Sequence, residues 1–289
     1  MSRPFADRAV LVIGAAGGIG AAIAERLAGH GARVGLADVA PDALERTRAG
    51  LAARGQPVRA WPVDVRDPAS LARLRDAAQN ALGEVDAVIN CAAVIHPGAV
   101  GTVPDDAARD EVATNLLGTV HVAQTFVPGF RTRGRGHLVL LASLGGVVPM
   151  PGGAVYAATK FGVRGFGLSL ALELRGTGVR VSVVSPDSTD TPMLRAEALG
   201  GGSPMSFTSA PLRPDAVAAA VERVLRRPRL ETLVPGARGL AGRIIACSPT
   251  TLRAVAPLLL WLGRRGRRRY LDAIERPAPG RRAIPVAAS

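Results

Sequence analysis

The chain has 289 residues and 48% of them are hydrophobic, so it is long and apolar enough to bury a large core. Its two cysteines, Cys91 and Cys247, lie far apart without a CxxC motif, which argues against a disulfide framework or a metal site and favours a reducing compartment. The net charge of +13 is uneven, because residues 1–200 carry 20 basic and 18 acidic side chains, whereas residues 201–289 carry 16 and 5.

The predicted elements begin close to the N-terminus. The first residues lead directly into an apolar run, without the charged region, apolar stretch and cleavage site of a secretory signal, so we expect a cytoplasmic protein. Short runs rich in Val, Leu and Ile predict buried strands at 9–13, 33–37, 58–63, 85–89, 137–141, 179–184 and 231–234. Segments with helical spacing lie between them, at 18–30, 41–54, 68–82, 105–131, 154–176 and 214–226.

This alternation of strands and helices predicts an α/β fold with a doubly wound parallel sheet. Apolar runs without polar alternation are expected when helices cover both faces of such a sheet. We therefore predict one domain over residues 1–235, followed by a basic and apolar extension over 236–289. Within the domain, residues 187–213 combine glycines with apolar side chains, which suits a lid that closes over a small molecule.

A glycine-rich turn follows the first predicted strand. Gly14, Gly18 and Gly20 lie between this strand and the first helix. Glycine lets the backbone turn tightly and approach a pyrophosphate, and the free N–H groups at a helix N-terminus attract anions. A tight turn without a ligand is the alternative, but the position between a strand and a helix favours dinucleotide binding.

The second predicted strand is followed by Asp38, which lies 18 residues after Gly20. A carboxylate at this place can accept hydrogen bonds from the adenosine ribose and repels a 2′-phosphate. The next residue, Val39, is not basic, and the glycine-rich turn supplies no cation. NAD is therefore favoured over NADP, although a carboxylate that only caps the next helix is the alternative.

One lysine stands out in the composition. Lys160 is the only lysine among 36 basic residues, and Tyr156, one of two tyrosines, precedes it by four positions, which places both side chains on one helical face. An ammonium at ~4 Å in an effective dielectric of ~20 stabilises a phenolate by about 4 kcal/mol, or about three pKa units. Tyr156 is therefore predicted to exchange protons as a general base near neutral pH, with Lys160 lowering its pKa. Arginine is not a simple substitute for a compact ammonium.

Several further motifs occur in order along residues 8–235. They are the Gly-x₃-Gly-x-Gly turn, Asp64-Val65, Asn90-Cys91-Ala92-Ala93, Asn115, Ser143, Tyr156-x₃-Lys160 and Pro186–Thr191. In this combination the chain resembles the short-chain dehydrogenase/reductase family. The resemblance implies a Rossmann fold and a catalytic tetrad of Asn115, Ser143, Tyr156 and Lys160. It also implies cofactor contacts at Gly14, Gly18, Ile19, Gly20, Asp38, Asp64, Val65, Asn90, Ala92, Tyr156, Lys160 and Thr191.

The resemblance also implies individual roles. The hydroxyl of Ser143 polarises the substrate oxygen, Asn115 holds a water that links Lys160 to solvent, and Lys160 also binds the nicotinamide ribose. The sequence departs from the family pattern at Ile13, Cys91, Ala93 and Asp187. Asp187 replaces a glycine beside the nicotinamide site, and the sequence does not decide where its carboxylate points.

We therefore expect an NAD-dependent oxidoreductase that interconverts an alcohol and its ketone, and that forms a homo-oligomer. Val147, Val148 and Met150, which follow Ser143, predict an apolar substrate such as a hydrophobic secondary alcohol. A non-catalytic dinucleotide sensor and a membrane-surface interaction protein on the same fold are the alternatives. The complete tetrad favours the enzyme.

The C-terminal extension combines an apolar stretch at 252–262 with arginines at 264, 265, 267, 268 and 269. The stretch is broken by Pro257 and is shorter than the roughly 20 apolar residues needed to span a bilayer. It can lie in a membrane interface with Trp261 and the arginines. The alternative is a helix that packs over the lid or against a partner subunit. Nucleic acid is not expected, because no recognition motif accompanies the charge.

Overall fold

The computed structural model describes residues 4–6, 8–56 and 58–275. Its centre is a seven-stranded parallel sheet with the strand order β3-β2-β1-β4-β5-β6-β7. The strands are β1 (Ala9–Ile13), β2 (Arg33–Asp38), β3 (Arg59–Pro62), β4 (Ala87–Asn90), β5 (Gly136–Leu141), β6 (Val179–Pro186) and β7 (Glu231–Val234). The predicted doubly wound parallel sheet is confirmed.

Helices connect the strands and cover the sheet. Within the described residues they are α1 (Gly18–Gly29), α2 (Pro41–Ala52), α3 (Pro68–Leu82), α4 (Asp105–Glu111), α5 (Gly118–Arg133), α6 (Ala154–Glu173), α7 (Pro192–Leu199), α8 (Pro214–Arg226), α9 (Gly236–Ala246) and α10 (Pro249–Glu275). A π-helix at Val112–Leu117 joins α4 to α5, and 3₁₀ turns lie at Leu144–Gly146 and Pro204–Phe207.

Strand β1 shows why apolar runs predict these strands. All five of its residues are buried, with Val10 and Val12 in one apolar layer and Leu11 and Ile13 in the other. Helices α1, α2 and α8 supply the first layer, and α3, α5 and α6 supply the second. Because both faces of the sheet are covered, the strand needs no polar alternation.

Local signals also fix the start of α3. The Asp67 side chain accepts a hydrogen bond from the backbone N–H of Ala69 at 2.8 Å, and Pro68 occupies the first helical position. An N-cap carboxylate followed by proline is a favourable helix start, because proline lacks an N–H that would be unpaired there. Helix α3 therefore has the predicted bounds of 68–82.

The segment predicted to be helical at 105–131 is helical throughout, but it is not one regular α-helix. The structure divides this segment into α4, the π-helix and α5. Asn115 lies in the π-helix, where its side chain accepts a hydrogen bond from the N–H of Val94 at 2.8 Å and donates one to the carbonyl of Val94 at 2.9 Å. A π-turn inserts an extra residue into a helix and is frequent at functional sites. Here the π-helix carries Asn115, whose two hydrogen bonds clamp the backbone of Val94 after β4. The spacing of apolar residues along a helix does not predict such a contact.

The strand order reverses at β1, which has β2 on one side and β4 on the other. The chain therefore leaves the carboxyl ends of these strands in opposite directions and opens a crevice between them. Ligands of doubly wound sheets bind in such a crevice. The fold thus places the glycine-rich turn, Asp38 and the residues after β4 and β5 along one edge.

Helix α10 packs over the lid, as one of the two alternatives for the extension predicted. Cβ atoms at Gly263 and Gly266 would lie 2.0 Å from the carbonyl oxygen of Pro204 and 1.8 Å from that of Phe207, so the backbones touch. The Tyr270 hydroxyl donates a hydrogen bond to Asp190 at 2.8 Å, and its ring centroid lies 5.5 Å from that of Phe207. None of the helices in the described ranges is long and apolar enough to cross a membrane.

We expect Gly263→Ala to destabilise the protein. The added methyl group would meet the Pro204 carbonyl oxygen at 2.0 Å, and this backbone atom cannot rotate away. Crowding of this kind costs about 1–3 kcal/mol. Urea unfolding measures the loss. The matched control is Gly50→Ala in α2, where a Cβ has open space. Alanine there should raise the free energy of unfolding by about 0.5–1 kcal/mol. Equal effects of the two substitutions would contradict the packing described for α10.

Candidate active site

A cleft of about 780 Å³ lies at the carboxyl edge of the sheet. The glycine-rich turn, the ends of β2, β4, β5 and β6, the lid and the helices α9 and α10 all contribute to its lining. Of the residues predicted to contact a cofactor, the cleft is lined by Gly14, Gly18, Ile19, Gly20, Asp38, Asp64, Val65, Ala92, Tyr156, Lys160 and Thr191. Asn90 is the exception and lies behind the wall.

The glycine-rich turn fits a phosphate ligand. Gly14 has a φ of +80°, and a Cβ there would lie 2.6 Å from the N atom of Ala92. Helix α1 begins after Gly17, which provides no side-chain cap, and a Cβ at Gly17 would meet only open space. The first N–H groups of a helix have no partners within the helix and attract anions. The turn therefore leaves both space and donors for a pyrophosphate.

Asp38 is held at the end of β2 by two backbone donors. Its Oδ2 accepts a hydrogen bond from the N–H of Ala16 at 2.8 Å, and its Oδ1 accepts one from the N–H of Ala40 at 3.1 Å. The carboxylate thereby connects the glycine-rich turn to the residues that follow β2. Its position in the cleft is fixed before any ligand binds, which favours the recognition of hydroxyl groups.

At the far end of the cleft, Asp64 is paired with an arginine that the sequence analysis missed. Arg66 binds Asp64 at 2.7 Å and Asp110 at 2.8 Å, and it lines the cleft. Hydrogen bonding to Arg66 holds the pKa of Asp64 below its usual value. The guanidinium plane is thus fixed by two carboxylates beside Asp64 and Val65, which are predicted to contact the cofactor. Only the pattern Asp64-x-Arg66 could have pointed to it.

Asn90 and Asn115 shape the wall of the cleft from behind. Asn90 is buried; its side chain accepts from the N–H of Ala92 at 3.2 Å and donates to Thr119 at 3.0 Å. Asn115 is also fully buried, and besides clamping Val94 it donates to the hydroxyl of Thr159 at 3.1 Å. The two amides therefore position the backbone after β4, and neither side chain reaches the cleft.

Ser143, Tyr156 and Lys160 meet in the cleft. Ser143 follows β5, and its Oγ accepts a hydrogen bond from the N–H of Gly145 at 3.0 Å. Tyr156 and Lys160 lie one turn apart on α6, with the Lys160 Nζ 5.6 Å from the centroid of the Tyr156 ring. Lys160 is 3% exposed, and its Nζ donates a hydrogen bond to the carbonyl of Leu141 at 3.1 Å.

Burial dominates the electrostatics of this group. It lowers the pKa of Lys160 to about 8, because an ammonium loses its hydration inside the protein. It also raises the pKa of Tyr156, and the negative charges of Glu197 and Glu111 add to this, whereas Ser143 opposes it. The prediction that the Tyr156 pKa would be lowered is therefore wrong for this structure. Desolvation is the largest cause, and the two carboxylates act in the same direction.

Glu197 is a second polar group that the sequence analysis missed. It belongs to α7, lines the cleft and is 6% exposed. Its Oε1 accepts a hydrogen bond from the Ser206 hydroxyl at 2.6 Å, and burial raises the pKa of the carboxyl group. The carboxylate thus joins the two short helices of the lid. The only signal in the sequence was an acidic residue between the apolar residues Leu194 and Leu199 of the predicted lid.

The structure also shows where the Asp187 carboxylate points. It forms an ion pair with Arg238 of α9, and it accepts a hydrogen bond from the N–H of Ser188 at 2.8 Å. Arg238 also hydrogen-bonds to Ser209 of the lid. The unusual carboxylate beside the predicted nicotinamide site is therefore neutralised by the C-terminal extension.

Apolar side chains form the remaining wall. Those from the segment after Ser143, the lid and the extension include Val148, Met150, Met193, Met205, Ile245 and Leu259. The predicted apolar pocket therefore receives residues from 236–275 as well as from the lid. Helix α9, which was not predicted from the sequence, and helix α10 are therefore part of the site.

Known proteins resemble the chain over most of this fold. A family model described as short chain dehydrogenase matches residues 8–199. The 1-deoxy-11-beta-hydroxypentalenate dehydrogenase of Streptomyces exfoliatus is 45% identical over 193 residues, which cover 65% of this chain and 70% of that protein. Levodione reductase superposes with a TM-score of 0.75 and 25% identity, covering 82% of this chain and 99% of the other. Actinorhodin polyketide ketoreductase with NADPH superposes with a TM-score of 0.73 and 30% identity, covering 83% of this chain and 99% of the other.

We expect Lys160→Met to raise the free energy of unfolding at pH 7. Burial lowers the pKa of Lys160 from 10.5 to about 8, so the folded protein holds an unfavourable charge below pH 8. A difference of this size corresponds to about 3 kcal/mol, and loss of the bond to Leu141 offsets about 1 kcal/mol of it. Between pH 8 and 10.5 the unfolded chain binds more protons than the folded one. The free energy of unfolding of the wild type therefore rises with pH over this range, and the gap between the wild type and Lys160→Met shrinks.

Urea unfolding at pH 7 and pH 10 tests this expectation. The control is Arg164→Met on the same helix, where Arg164 pairs with Glu231 at 2.8 Å. This substitution should lower the free energy of unfolding at both pH values, because it removes an ion pair. A Lys160→Met variant that is less stable than the wild type at pH 7 would show that Lys160 stabilises the fold.

Proposed function

Because the chain belongs to the short-chain dehydrogenase/reductase family, whose members are oxidoreductases that use nicotinamide dinucleotides, we propose that it is an NAD-dependent enzyme that interconverts a hydrophobic secondary alcohol and its ketone. The observation that carries the proposal is the convergence of Ser143, Tyr156 and Lys160 in the cleft that also contains the glycine-rich turn and Asp38. A protein that only senses dinucleotides would not need these three side chains beside an apolar pocket.

The chain's own residues would handle the proton. When bound, the nicotinamide supplies or accepts the hydride at the substrate carbon. Tyr156, whose pKa is raised by burial, keeps its proton at neutral pH and can donate it to the carbonyl oxygen during reduction. In the oxidation of an alcohol, the same phenolate oxygen takes the hydroxyl proton. Ser143 would hold the substrate oxygen during both steps.

Lys160 and Asn115 would support this transfer. The buried Lys160 ammonium lies against the Tyr156 ring and would stabilise the phenolate and hold the nicotinamide ribose. A pKa of about 8 allows Lys160 to pass a proton near neutral pH. Asn115 would act through its clamp on Val94, which positions the backbone beside the cleft.

The pocket supports a substrate that is apolar and carries few polar groups. Methionines and aliphatic side chains form most of the wall around Ser143, and Glu197 is a carboxylate among them. Two relatives are named as a hydroxypentalenate dehydrogenase and a polyketide ketoreductase, so both names describe the interconversion of an alcohol and a ketone.

The preference for NAD rests on Asp38. Its carboxylate is fixed in the cleft, and the following residue, Val39, is apolar. A 2′-phosphate near this carboxylate would be repelled. Arg66 is the basic side chain at that end of the cleft, but Asp64 and Asp110 already neutralise it.

Tyr156→Phe should abolish turnover while NAD affinity stays within a few-fold of the wild type. The substitution removes the hydroxyl that exchanges the proton and keeps the aromatic ring. A panel of hydrophobic secondary alcohols and their ketones, followed by NADH absorbance, measures turnover, and calorimetry measures NAD binding. Tyr270→Phe is the control, because Tyr270 is the other tyrosine and contacts Asp190 on the lid. Substantial turnover by Tyr156→Phe would exclude Tyr156 as the proton-transfer group.

The unmodified protein should bind NAD more tightly than NADP, by about tenfold or more. Asp38→Ala combined with Val39→Arg should narrow or reverse this ratio, because it removes the repelling charge and adds an attracting one. Both affinities should fall, since Asp38 also holds the N–H groups of Ala16 and Ala40, so the ratio is the quantity to measure. Asp42→Ala, an exposed carboxylate at the start of α2, should leave the ratio unchanged. Equal affinities in the unmodified protein would contradict the assignment.

A further inference from the structure

The outer surfaces of α9 and α10 carry large apolar side chains that nothing in the described chain covers. Exposed fractions range from 40% to 64%, whereas most large apolar side chains of the sheet layers are nearly inaccessible. The residues are Leu240, Ile244, Leu258, Trp261 and Leu262. We call these five residues and the adjacent arginines the α9–α10 face.

Helix α10 is two-sided because its two glycines lie against the lid. Gly263 is buried on the inner side, where it touches the carbonyl of Pro204. Leu258, Trp261 and Leu262 have a spacing of three and four residues, which places them together on the outer side. The guanidinium of Arg265 lies 4.9 Å from the Trp261 ring and continues this side toward the C-terminus.

The charge on this face has no partner within the part of the chain that the structure describes. Among the described residues, none of Arg264, Arg265, Arg268 and Arg269 forms an ion pair, and all four are exposed. In the rest of the structure exposed arginines commonly find carboxylates, as Arg48 does with Glu45 at 2.6 Å. The region from 236 to 275 has eight arginines and only two carboxylates. An acidic surface outside the chain is therefore the natural partner.

A groove beside Trp261 adds room for a polar headgroup. It lies between α10 and residues 207–211, and it is lined by Arg265 and Arg269 together with Thr208 and Ser209. Guanidinium groups bind phosphate oxygens through two parallel N–H donors, and hydroxyl groups can add further donors. The groove thus offers phosphate-binding chemistry directly next to an exposed tryptophan, a residue that is common at the membrane interface.

We propose that the α9–α10 face docks onto anionic lipid bilayers, with the five apolar side chains inserted at the interface and the arginines on the lipid phosphates. An amphipathic helix with tryptophan on one side and arginines beside it binds in the plane of the interface. A second copy of the chain fits this face less well. Two such faces would bring eight guanidinium groups together, and the two carboxylates that each copy has in residues 236–275 are too few to neutralise them.

Docking in this way places the substrate cleft next to the bilayer. The same two helices that carry the face also line the cleft, with Ala241 and Ile245 from α9 and Leu259 from α10. An apolar substrate dissolved in lipid would then meet the protein at the wall of its pocket. The docking itself does not depend on the proposed reaction and can be tested without it.

Vesicle co-sedimentation tests the proposal on the full chain in the presence of NAD. Vesicles of phosphatidylcholine alone are compared with vesicles that contain phosphatidylglycerol, each at low and high salt. We expect binding to the anionic vesicles, weakened but not lost at high salt, because salt screens the arginines and not the apolar insertion. A blue shift of tryptophan fluorescence should accompany binding and disappear in Trp261→Phe, because the other tryptophan, Trp61, lies in β3.

Two matched variants distinguish this face from general basicity. R264Q/R265Q/R268Q/R269Q should bind anionic vesicles about tenfold more weakly or worse, whereas R46Q/R131Q/R175Q/R229Q removes the same charge from exposed positions elsewhere and should bind like the wild type. Equal losses in the two variants would overturn the proposal. So would absence of binding at low salt, or a change from dimer to monomer in L258S/W261S without vesicles, which would assign the face to a second copy.

Discussion

Helix α6 lies so close to its neighbours that three contact points have no room for a side chain. A Cβ at Gly146 would lie 2.5 Å from the carbonyl oxygen of Lys160, and at Gly162 and Gly167 it would meet side chains at 2.9 and 2.5 Å. This approach fixes Tyr156 and Lys160 relative to the turn after β5. Functional groups held on rigid elements keep their geometry better than groups on loops. The proton-transfer group and the wall of the cleft beside it depend on these contacts of α6.

Most of the sheet could be predicted because its determinants are local. Strands β1 and β7 have their predicted bounds, and α3 and α8 do as well. Each strand that is covered on both faces appears as an apolar run, and each of these helices begins with proline at its first position. The glycine-rich turn and Asp38 could be recognised for the same reason, since a strand, a turn and a helix follow one another directly in the chain.

The features that could not be predicted join residues distant in sequence. The π-helix accompanies the clamp of Asn115 on Val94, and the raised pKa of Tyr156 depends on Glu197, which α7 brings into the cleft. The partner of Asp187 is Arg238, which lies on α9. The spacing of apolar residues did not predict this helix. Helical spacing describes one element at a time, whereas burial and ion pairing are properties of the assembled cleft.

The dependence of the lid on α10 has a consequence for biosynthesis. A ribosome releases the chain from its N-terminus, so all seven strands and the glycine-rich turn emerge before α10 does. The lid residues 190–207 are held by contacts from Gly263, Gly266 and Tyr270, which are translated after the lid and all seven strands. Domains generally begin to fold as they emerge. The nascent protein would therefore complete its dinucleotide cleft first, and the apolar pocket would close only when the end of α10 has left the ribosome.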